Sequence, residues 1–584
     1  MLVPKLATTL RSYSREQFLR DLGAGLIVGI VALPLAIAFA IASGVTPERG
    51  LYTAVIAGFL ISALGGSRVQ IGGPTGAFVV VVYGIVQQHG IQGLALATMM
   101  AGVVLIALGL LKFGGAIKFI PFPVTIGFTS GIALIIFSGE IGDFFGLELH
   151  DVPAGFLDKW STYLAHWGAV NPWAIVVAGA TVAILVIWPR INERIPGPFV
   201  ALLVTTAAVA IFHLPVETIG RRFGEIHASL PHPRLPFDAR ALSPANLRPL
   251  IGPAFTIALL GAIESLLSAV VADGMIGGRH RSNMELVAQG VANLAAPLFG
   301  GIPATGAIAR TATNVKNGGR TPIAGIVHAL TLLAVTVCFG RWAALIPMAT
   351  LAGVLVVVAY HMSEWHVFVA EFGAPRSDLL VMLTTFGLTV LVDLTVAIEV
   401  GMVLAAFLFM RRMAEVTNVS MVTRELNDQS DDYDTDLNAV RRRAVPPEVA
   451  VYEVNGPFFF GAAETFRDTL AATQQHPRVL IVRMRNVPAV DSTGLHALRE
   501  LVRRSRAEGK LVLLSDVHAQ PLVALGRSYL LDELGEDHIF GNIDDALNFA
   551  RRSLGLEPLA RPAFATPTVR RETPDGGVSA PPLP

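Results

Sequence analysis

Two charged side chains lie in surroundings that are otherwise apolar, and their chemistry needs an explanation. Arg310 belongs to the stretch GGIPATGAIARTATNVKN (300–317), which long apolar runs flank on both sides. Glu264 lies inside another apolar run, in AIESLLS. An Arg at membrane depth costs at least ~2.5–3.5 kcal/mol on insertion scales, so it requires a counter-charge, a water-filled cavity or a ligand. The pattern predicts that Arg310 attracts an anion or forms a structural pair with Glu264, and both can hold at once.

The stretch around Arg310 opens like an earlier one, GGPTGAFVVVVY (72–83). The later stretch is too short and too interrupted to cross a bilayer as one continuous helix. Helix N-termini present unpaired N–H groups and a positive dipole end, so two helices that start at membrane depth can build an anion site. The candidate anion-binding residues are Thr75, Gly76, Ala77 and Phe78 in the first stretch and Thr305, Gly306, Ala307, Ile308 and Arg310 in the second. The alternative for the first stretch is an ordinary Pro–Gly turn.

Composition indicates an integral membrane protein. The 584 residues are 53% hydrophobic and 15% charged, with a mean hydropathy of +0.59, whereas soluble domains have about 25% charged residues. A formal net charge of zero and the lack of a basic tract argue against a nucleic-acid partner. The single cysteine, Cys338, excludes disulfides and cysteine-based metal sites, and His328, His361 and His366 lack metal-ligand spacing. No pattern of a catalytic triad, a P-loop or a zinc site is present, so we expect neither an enzyme nor a resident cofactor.

Apolar runs predict a polytopic α-helical protein with fourteen spans, judged against the ~20 residues that cross the hydrocarbon core. The runs lie at roughly 22–43, 50–65, 74–88, 92–112, 120–146, 172–189, 196–214, 250–273, 284–299, 304–316, 321–340, 342–361, 377–394 and 396–410. Basic residues in alternate loops place the N-terminus inside, and an even number of spans places the following segment there too. Residues 215–249 conflict with this count, because they would lie outside and yet carry several arginines.

Fourteen spans divide into two halves of seven, and the two broken segments are the third span of each half. Because seven is odd, the halves would enter from opposite sides, and the broken segments would run antiparallel. Their starts could then meet near the midplane, where non-helical backbone is tolerated only if it lines a cavity or is buried in protein. Secondary transporters built from inverted repeats use this geometry.

The composition changes after Arg412 to that of a soluble α/β domain. Strand-like runs at 449–454, 479–484 and 511–516 alternate with helical stretches near 461–474, 493–508 and 519–528. The predicted organisation is a cytoplasmic N-terminal segment (1–20), a transmembrane domain (21–415), a linker (416–447), the α/β domain (448–555) and a disordered Pro-rich tail (556–584).

Five stretches together resemble the sulfate permease family, which is related to the animal solute-carrier 26 anion transporters. They are LPLAIAFA (33–40), GLY (50–52), GGPTGAF (72–78), GAIESLLSAVVADG (261–274) and VDSTG (490–494). The bacterial sulfate and dicarboxylate permease-like branch is the most similar. The resemblance implies a seven-plus-seven inverted repeat with a core domain (spans 1–4 and 8–11) and a gate domain (spans 5–7 and 12–14). It also implies an anion site between spans three and ten, a C-terminal STAS domain, and a homodimer.

The resemblance extends to coupling residues. Glu264 and Ser268 are one helical turn apart on the same face, and the position of Glu264 is acidic in coupled members, so Glu264 could bind a proton that crosses with the anion. For sodium coupling, oxygens of Glu264, Ser268 and Thr75 could be ligands. Many members have a polar Gln where this chain has Leu35, a departure that affects which anion is bound. Phe39 is expected either to cap the anion pocket or to be part of the core.

The STAS domain adds a candidate modification site. Ser492 matches the serine that is phosphorylated in the similar anti-sigma factor antagonists, and the alternative is that Asp491 and Ser492 only cap a helix. The resemblance thus implies a secondary active anion transporter of the inner membrane with both termini in the cytoplasm, coupled to protons and specific for sulfate or a related oxyanion. The STAS domain is expected to bind a cytoplasmic protein. The alternatives are a C4-dicarboxylate or bicarbonate symporter on the same scaffold, and a membrane-anchored signalling protein with phosphorylation of Ser492 as its output.

Overall fold

In the computed structural model, the chain forms two compact units, Met1–Ala405 and Ala406–Pro584. The structure describes residues 2–560 except 116–120, 150–151, 154, 193–194, 225–229, 238–241, 422–439, 441–442 and 473–476. Most of the predicted linker and of the predicted Pro-rich tail therefore lies outside the described residues.

In the described residues, the first unit is helical apart from two strands of two residues each, and its last helix continues past Ala405 into the second unit. Its helices are α1 (Lys5–Thr9), α2 (Arg15–Ala42), α3 (Pro47–Leu64), α4 (Gly76–Leu110), α5 (Phe122–Gly139), α6 (Ile141–Phe145), α7 (Phe156–Ala165), α8 (Pro172–Ile191), α9 (Gly197–Phe212), α10 (Ile219–Phe223), α11 (Pro244–Leu247), α12 (Ile251–Ile276), α13 (Ser282–Leu298), α14 (Ile308–Lys316), α15 (Pro322–Phe339), α16 (Met348–Met362), α17 (Trp365–Ala370), α18 (Arg376–Leu391) and α19 (Leu394–Val416). The strands are β1 (Gly72–Gly73) and β2 (Thr305–Gly306).

Each predicted apolar run contains helical residues, but two of the runs belong to a single helix. The third and fourth predicted spans are two parts of α4, which is interrupted at Gly90 with φ 65° and ψ −174°. Among the described residues, eight helical segments are long and apolar enough to cross a membrane, and Gly197–Phe212 is a shorter apolar helix. The number of fourteen spans therefore stays a prediction.

Close helix packing surrounds the two broken segments. Helix α4 packs against α12 and α13, and α3 packs against α2, α13 and α15. A Cβ atom at Gly102 would lie 2.7 Å from the carbonyl oxygen of Gly290, and one at Gly290 would lie 2.6 Å from that of Gly102. Small residues let the backbones of α4 and α13 approach this closely, as is common between helices in membranes.

The second unit is a five-stranded sheet with helices. Its strands are β3 (Asn418–Met421), β4 (Val449–Asn455), β5 (Val479–Asn486), β6 (Leu511–Ser515) and β7 (Ile539–Phe540), in the order β3-β4-β5-β6-β7. Its helices are α20 (Phe460–Ala472), α21 (Ser492–Ala507), α22 (Ala519–Arg527), α23 (Leu530–Leu534) and α24 (Ile543–Ser553). Strand β3 is antiparallel to β4, and the other neighbouring strands are parallel.

The three predicted strands of this unit correspond to β4, β5 and β6. Residues Asn418–Met421 correct the predicted linker, because they pair with β4 as strand β3 instead of connecting two domains. Alternate residues along β4 and β5 enter two separate apolar clusters, so both faces of the sheet are covered. Near-continuous apolar strands are typical of such parallel sheets.

Candidate anion-binding site

The two broken segments meet as a short antiparallel ladder. Gly72 pairs with Gly306, and Gly73 pairs with Thr305. Ile71, the residue before β1, adds two hydrogen bonds between the segments. Its carbonyl accepts from Ala307 N at 2.8 Å, and its N–H donates to Thr311 Oγ1 at 3.0 Å. Helix α4 begins three residues after β1 and α14 begins two residues after β2, so the pairing brings both helix starts together.

The first half-site, residues Gly72–Phe78, ends in the start of α4. Thr75 is the N-cap of α4, yet its buried hydroxyl has no hydrogen-bond partner among the described residues. The first bond of the helix runs from Phe78 N to Thr75 O at 3.2 Å. The N–H groups of Gly76 and Ala77 therefore precede the helical bonding pattern and remain available to an acceptor.

Gly76 faces a narrow space between three helices. A Cβ atom there would lie 3.3 Å from Phe39 Cε1 on α2, 3.3 Å from Met362 Sδ on α16 and 3.4 Å from Ile136 Cδ1 on α5. Phe39 is thus placed at the first half-site, and it is buried. Phe78 instead directs its ring towards α12, with Cζ 3.6 Å from a Cβ built at Gly261.

The second half-site, residues Thr305–Arg310, is held more tightly by the protein. The Thr305 hydroxyl donates to Gly261 O at 3.0 Å, and the amide of Gln70 occupies the position that a side chain at Gly306 would need. The first bond of α14 joins Thr311 N to Ala307 O at 2.9 Å, so the N–H groups of residues 308–310 lie ahead of the helical pattern. Ile308 is 39% exposed, which leaves this first turn open on one side.

Arg310 lies between the two half-sites and is only 2% exposed. Its Nη2 donates to the carbonyl oxygen of Pro74, and its Nη1 lies against Gly73, where a Cβ would be 2.5 Å away. Among the described residues, Nη1 has no hydrogen-bond partner and no carboxylate forms an ion pair with this guanidinium. A buried charge without a partner is costly. The site therefore has an uncompensated positive charge beside two helix N-termini.

Glu264 does not provide the counter-charge. Within the described residues its carboxylate forms no ion pair or hydrogen bond, so the structural pair that the sequence offered for Arg310 is not formed. Ser268, one turn later on α12, donates to Thr311 Oγ1 on α14 at 3.2 Å. Gly261, almost one turn earlier, accepts from Thr305. Glu264 thus lies on α12 between two contacts with the second half-site, but its carboxylate is separate from Arg310.

Sequence reasoning missed the polar residues of α13. Glu285, Gln289 and Asn293 are fully buried and follow one another at intervals of four residues. That interval is a signal in the sequence, because residues four apart share one face of a helix. They contact residues next to both half-sites.

Ser492 is the first residue of α21 and is exposed. Asp491 is the N-cap, and its Oδ1 accepts from Gly494 N at 2.8 Å. Capping is thus carried out by Asp491, and the Ser492 hydroxyl is accessible for modification.

Comparison with known proteins gives a matching family model for each of the two units. A model described as the sulfate permease family matches residues 18–385, and a model described as the STAS domain matches residues 442–546. The chain is 41% identical over 541 residues to YvdB of Bacillus subtilis, which carries the name of a candidate sulfate transporter; the match covers 92% of this chain and 98% of YvdB. It is 31% identical over 557 residues to the bicarbonate transporter BicA of Picosynechococcus, with 92% and 95% covered.

A solved structure gives the same fold. The murine solute carrier 26 family member A9 anion transporter, in an inward-facing state, superimposes with a TM-score of 0.82 at 20% identity. The match covers 94% of each chain. At this identity the likeness shows the fold alone.

Proposed function

The chain belongs to the sulfate permease family, and from that premise we propose that it is a secondary active anion transporter that takes up sulfate or a related oxyanion together with a proton. We place it in the inner membrane, with both termini in the cytoplasm. The family match over residues 18–385 supports anion transport as the general function.

The observation that carries the proposal is the free Nη1 of the buried Arg310. A guanidinium binds oxyanions through a planar fork of N–H groups. The unpartnered hydroxyl of Thr75 and the leading N–H groups of α4 and α14 supply further donors to the same region. An oxyanion would satisfy these donors and neutralise the charge at once.

The side chains around the first half-site support transport by alternating access. Gly76 and Phe39 belong to the proposed core domain, whereas Ile136 on α5 and Met362 on α16 belong to the proposed gate domain. An anion at the start of α4 would then lie at the boundary between the two domains. Movement of the core against the gate would expose it to either side of the membrane.

Glu264 is the proposed proton carrier. Intramembrane carboxylates typically mark proton or ion pathways, and this one is not committed to an ion pair in the described part of the chain. Ser268 is bound to Thr311 on α14, which connects α12 with the second half-site. Protonation of Glu264 would change the charge next to the anion without removing the charge of Arg310. Sodium, with Ser268 and Thr75 oxygens as further ligands, is the alternative coupling ion.

Bicarbonate is the second candidate substrate, because the match to BicA extends over 92% of this chain. C4-dicarboxylates are the third, because they too present planar carboxylates to a guanidinium. At Leu35 the sequence departs from family members that have a Gln. The Leu side chain offers no hydrogen-bond donor at this position, which affects which anion is bound.

Uptake by reconstituted protein decides among these substrates. Proteoliposomes with an inward proton gradient should accumulate labelled sulfate faster than labelled bicarbonate or succinate, and collapse of the gradient should stop accumulation. Faster uptake of bicarbonate would select the second candidate. Binding and uptake of none of the three would remove the proposal.

The STAS domain is proposed to bind a cytoplasmic protein, and the transporter is proposed to be a homodimer. A signalling protein is the alternative, with phosphorylation of Ser492 as its output. Removal of residues 417–584 distinguishes the two, because it removes strand β3 together with the rest of the sheet. A transporter should retain anion binding in the remaining membrane unit, whereas a signalling protein would lose its output.

A further inference from the structure

One face of α13 carries a column of buried polar side chains, Glu285, Gln289 and Asn293, and all three are fully buried. Buried polar groups in a membrane protein are costly and usually functional. Their hydrogen-bond partners therefore indicate what the column does.

Asn293 binds both backbone groups of one residue. Its Oδ1 accepts from Ala304 N at 2.9 Å, and its Nδ2 donates to Ala304 O at 2.8 Å. Ala304 immediately precedes β2, so this side chain fixes the backbone at the entrance to the second half-site. The same segment is held from α3, where Thr53 Oγ1 accepts from Ile302 N at 2.7 Å.

Glu285 binds the backbone that leads into the first half-site. Its Oε2 accepts from Gly66 N at 2.8 Å and from Ser67 N at 3.1 Å. The Gly66 carbonyl in turn accepts from Arg281 N at 2.9 Å, just before α13 begins. The turn before β1 is therefore attached to the first residues of α13 and to the residue that precedes them.

Gln289 connects the two ends of the column. Its Nε2 donates to Glu285 Oε1 at 2.9 Å, and its backbone carbonyl accepts from Asn293 Nδ2 at 2.8 Å. A continuous chain of hydrogen bonds thus runs from the backbone before β1, along α13, to the backbone before β2. Hydrogen-bonded chains in a low-dielectric interior restrict the motion of the groups that they join, although Gln289 Oε1 has no partner among the described residues.

We propose that Glu285, Gln289 and Asn293 are positioning residues that set the distance and register of the two half-sites and thereby the affinity for the anion. The proposal rests on the anion-transport function proposed above. None of the three side chains needs to touch the anion, because Glu285 and Asn293 bind the backbone of residues 66–67 and 304, and Gln289 binds Glu285. The column makes both helix starts parts of one rigid body.

Asn293→Ala tests the proposal by removing both bonds to Ala304. The substitution leaves the buried N–H and C=O groups of Ala304 without these partners, which is unfavourable. We expect amide hydrogen exchange of residues 301–307 to become at least about tenfold faster. The KM for the anion should rise about tenfold, while kcat changes by less than about threefold.

Thr98→Ala is the matched control. Thr98 on α4 is also fully buried, but its hydroxyl donates only to Leu94 O of its own helix, at 2.7 Å. This variant should leave both the exchange of residues 301–307 and the KM unchanged. Glu285→Gln keeps the side-chain shape and provides a milder second variant if Asn293→Ala does not fold. It should accelerate exchange at residues 66–69 and raise KM by a smaller factor.

Two results would overturn the proposal. One is an unchanged KM for both Asn293→Ala and Glu285→Gln, even if the protein is less stable, because a purely structural role lowers the amount of folded protein and not its affinity. The other is unchanged exchange of residues 301–307 in Asn293→Ala. If the wild-type protein transports no anion, the proposed function fails, and the exchange measurement still decides whether Asn293 positions the second half-site.

Discussion

The two half-sites open with similar residues and are built differently. The first continues into α4, a helix of 35 residues, whereas α14 ends after nine residues. Thr75 keeps its hydroxyl without a partner, whereas Thr305 uses its hydroxyl to bind α12. Arg310 belongs to the second half-site but donates to Pro74 in the first. The second half-site is therefore the anchored, charged part, and the first is the part whose threonine hydroxyl has no partner among the described residues.

Loss of the charge should have the largest effect. Arg310→Ala should lower uptake by about 30-fold or more, because loss of one partner of a buried charge interaction costs about 2–5 kcal/mol. Labelled-anion uptake into proteoliposomes measures it. Arg310→Lys is the matched variant: it keeps the charge but loses the planar fork, so it should retain part of the uptake. Uptake at the wild-type rate in Arg310→Ala would assign the anion to another site.

Loss of the carboxylate should separate coupling from binding. Glu264→Gln should abolish proton-driven accumulation, because the amide cannot carry a proton across. Anion binding should persist, since Arg310 is not paired with Glu264 in the described part of the chain. Uptake at several external pH values, with anion affinity from equilibrium binding, measures both. Accumulation that still follows the proton gradient in Glu264→Gln would assign coupling to another residue.

Blocking the first half-site should reduce uptake without removing charge. Gly76→Val would place methyl groups within van der Waals contact of Phe39, Met362 and Ile136, so we expect uptake to fall about tenfold. Gly84→Val is the control on the same helix, because a Cβ there meets nothing within 4 Å. Equal loss in the two variants would show that the helix, and not the space at Gly76, is sensitive.

The sequence predicted two broken segments whose starts come together, and the structure pairs them; that they bind an anion stays a prediction. The family comparison confirms the predicted helical membrane fold with a C-terminal STAS domain. The prediction that the two segments belong together was based on their similar first residues, which are rich in Gly and Thr. The ladder between β1 and β2 could not be predicted, because strands of two residues have no periodicity. The pair between Arg310 and Glu264, which the sequence offered as an alternative, is not formed in the described part of the chain. Spacing within a helix gives a common face but does not identify the partner on another helix.

One arginine of residues 215–249, the segment that conflicted with the loop charges, forms ion pairs in the structure. Arg222 binds Asp143 with an Nη2–Oδ1 distance of 2.7 Å, and it also pairs with Glu217. Its charge is therefore compensated, but the positive-inside rule counts basic residues and not net charge, so the conflict stays. The polar column on α13 was present in the sequence as a four-residue interval. Its function depends on the partners at residues 66–67 and 304, which only the fold brings near.

The smallest expected effects distinguish the two half-sites most clearly, and they come from one substitution made in each. Thr75→Val removes a hydroxyl that has no partner in the described part of the chain, so the stability of the protein should not fall. If this hydroxyl binds the anion, its loss should cost about 0.5–1.5 kcal/mol, which lowers the affinity roughly two- to twelvefold. Thr305→Val removes a bond to Gly261 O, so the melting temperature should fall while affinity changes little. Thermal unfolding and anion binding of both variants measure this. If both variants lose stability equally and keep their affinity, the hydroxyl of Thr75 does not bind the anion. The first half-site would then contribute only the N–H groups of α4.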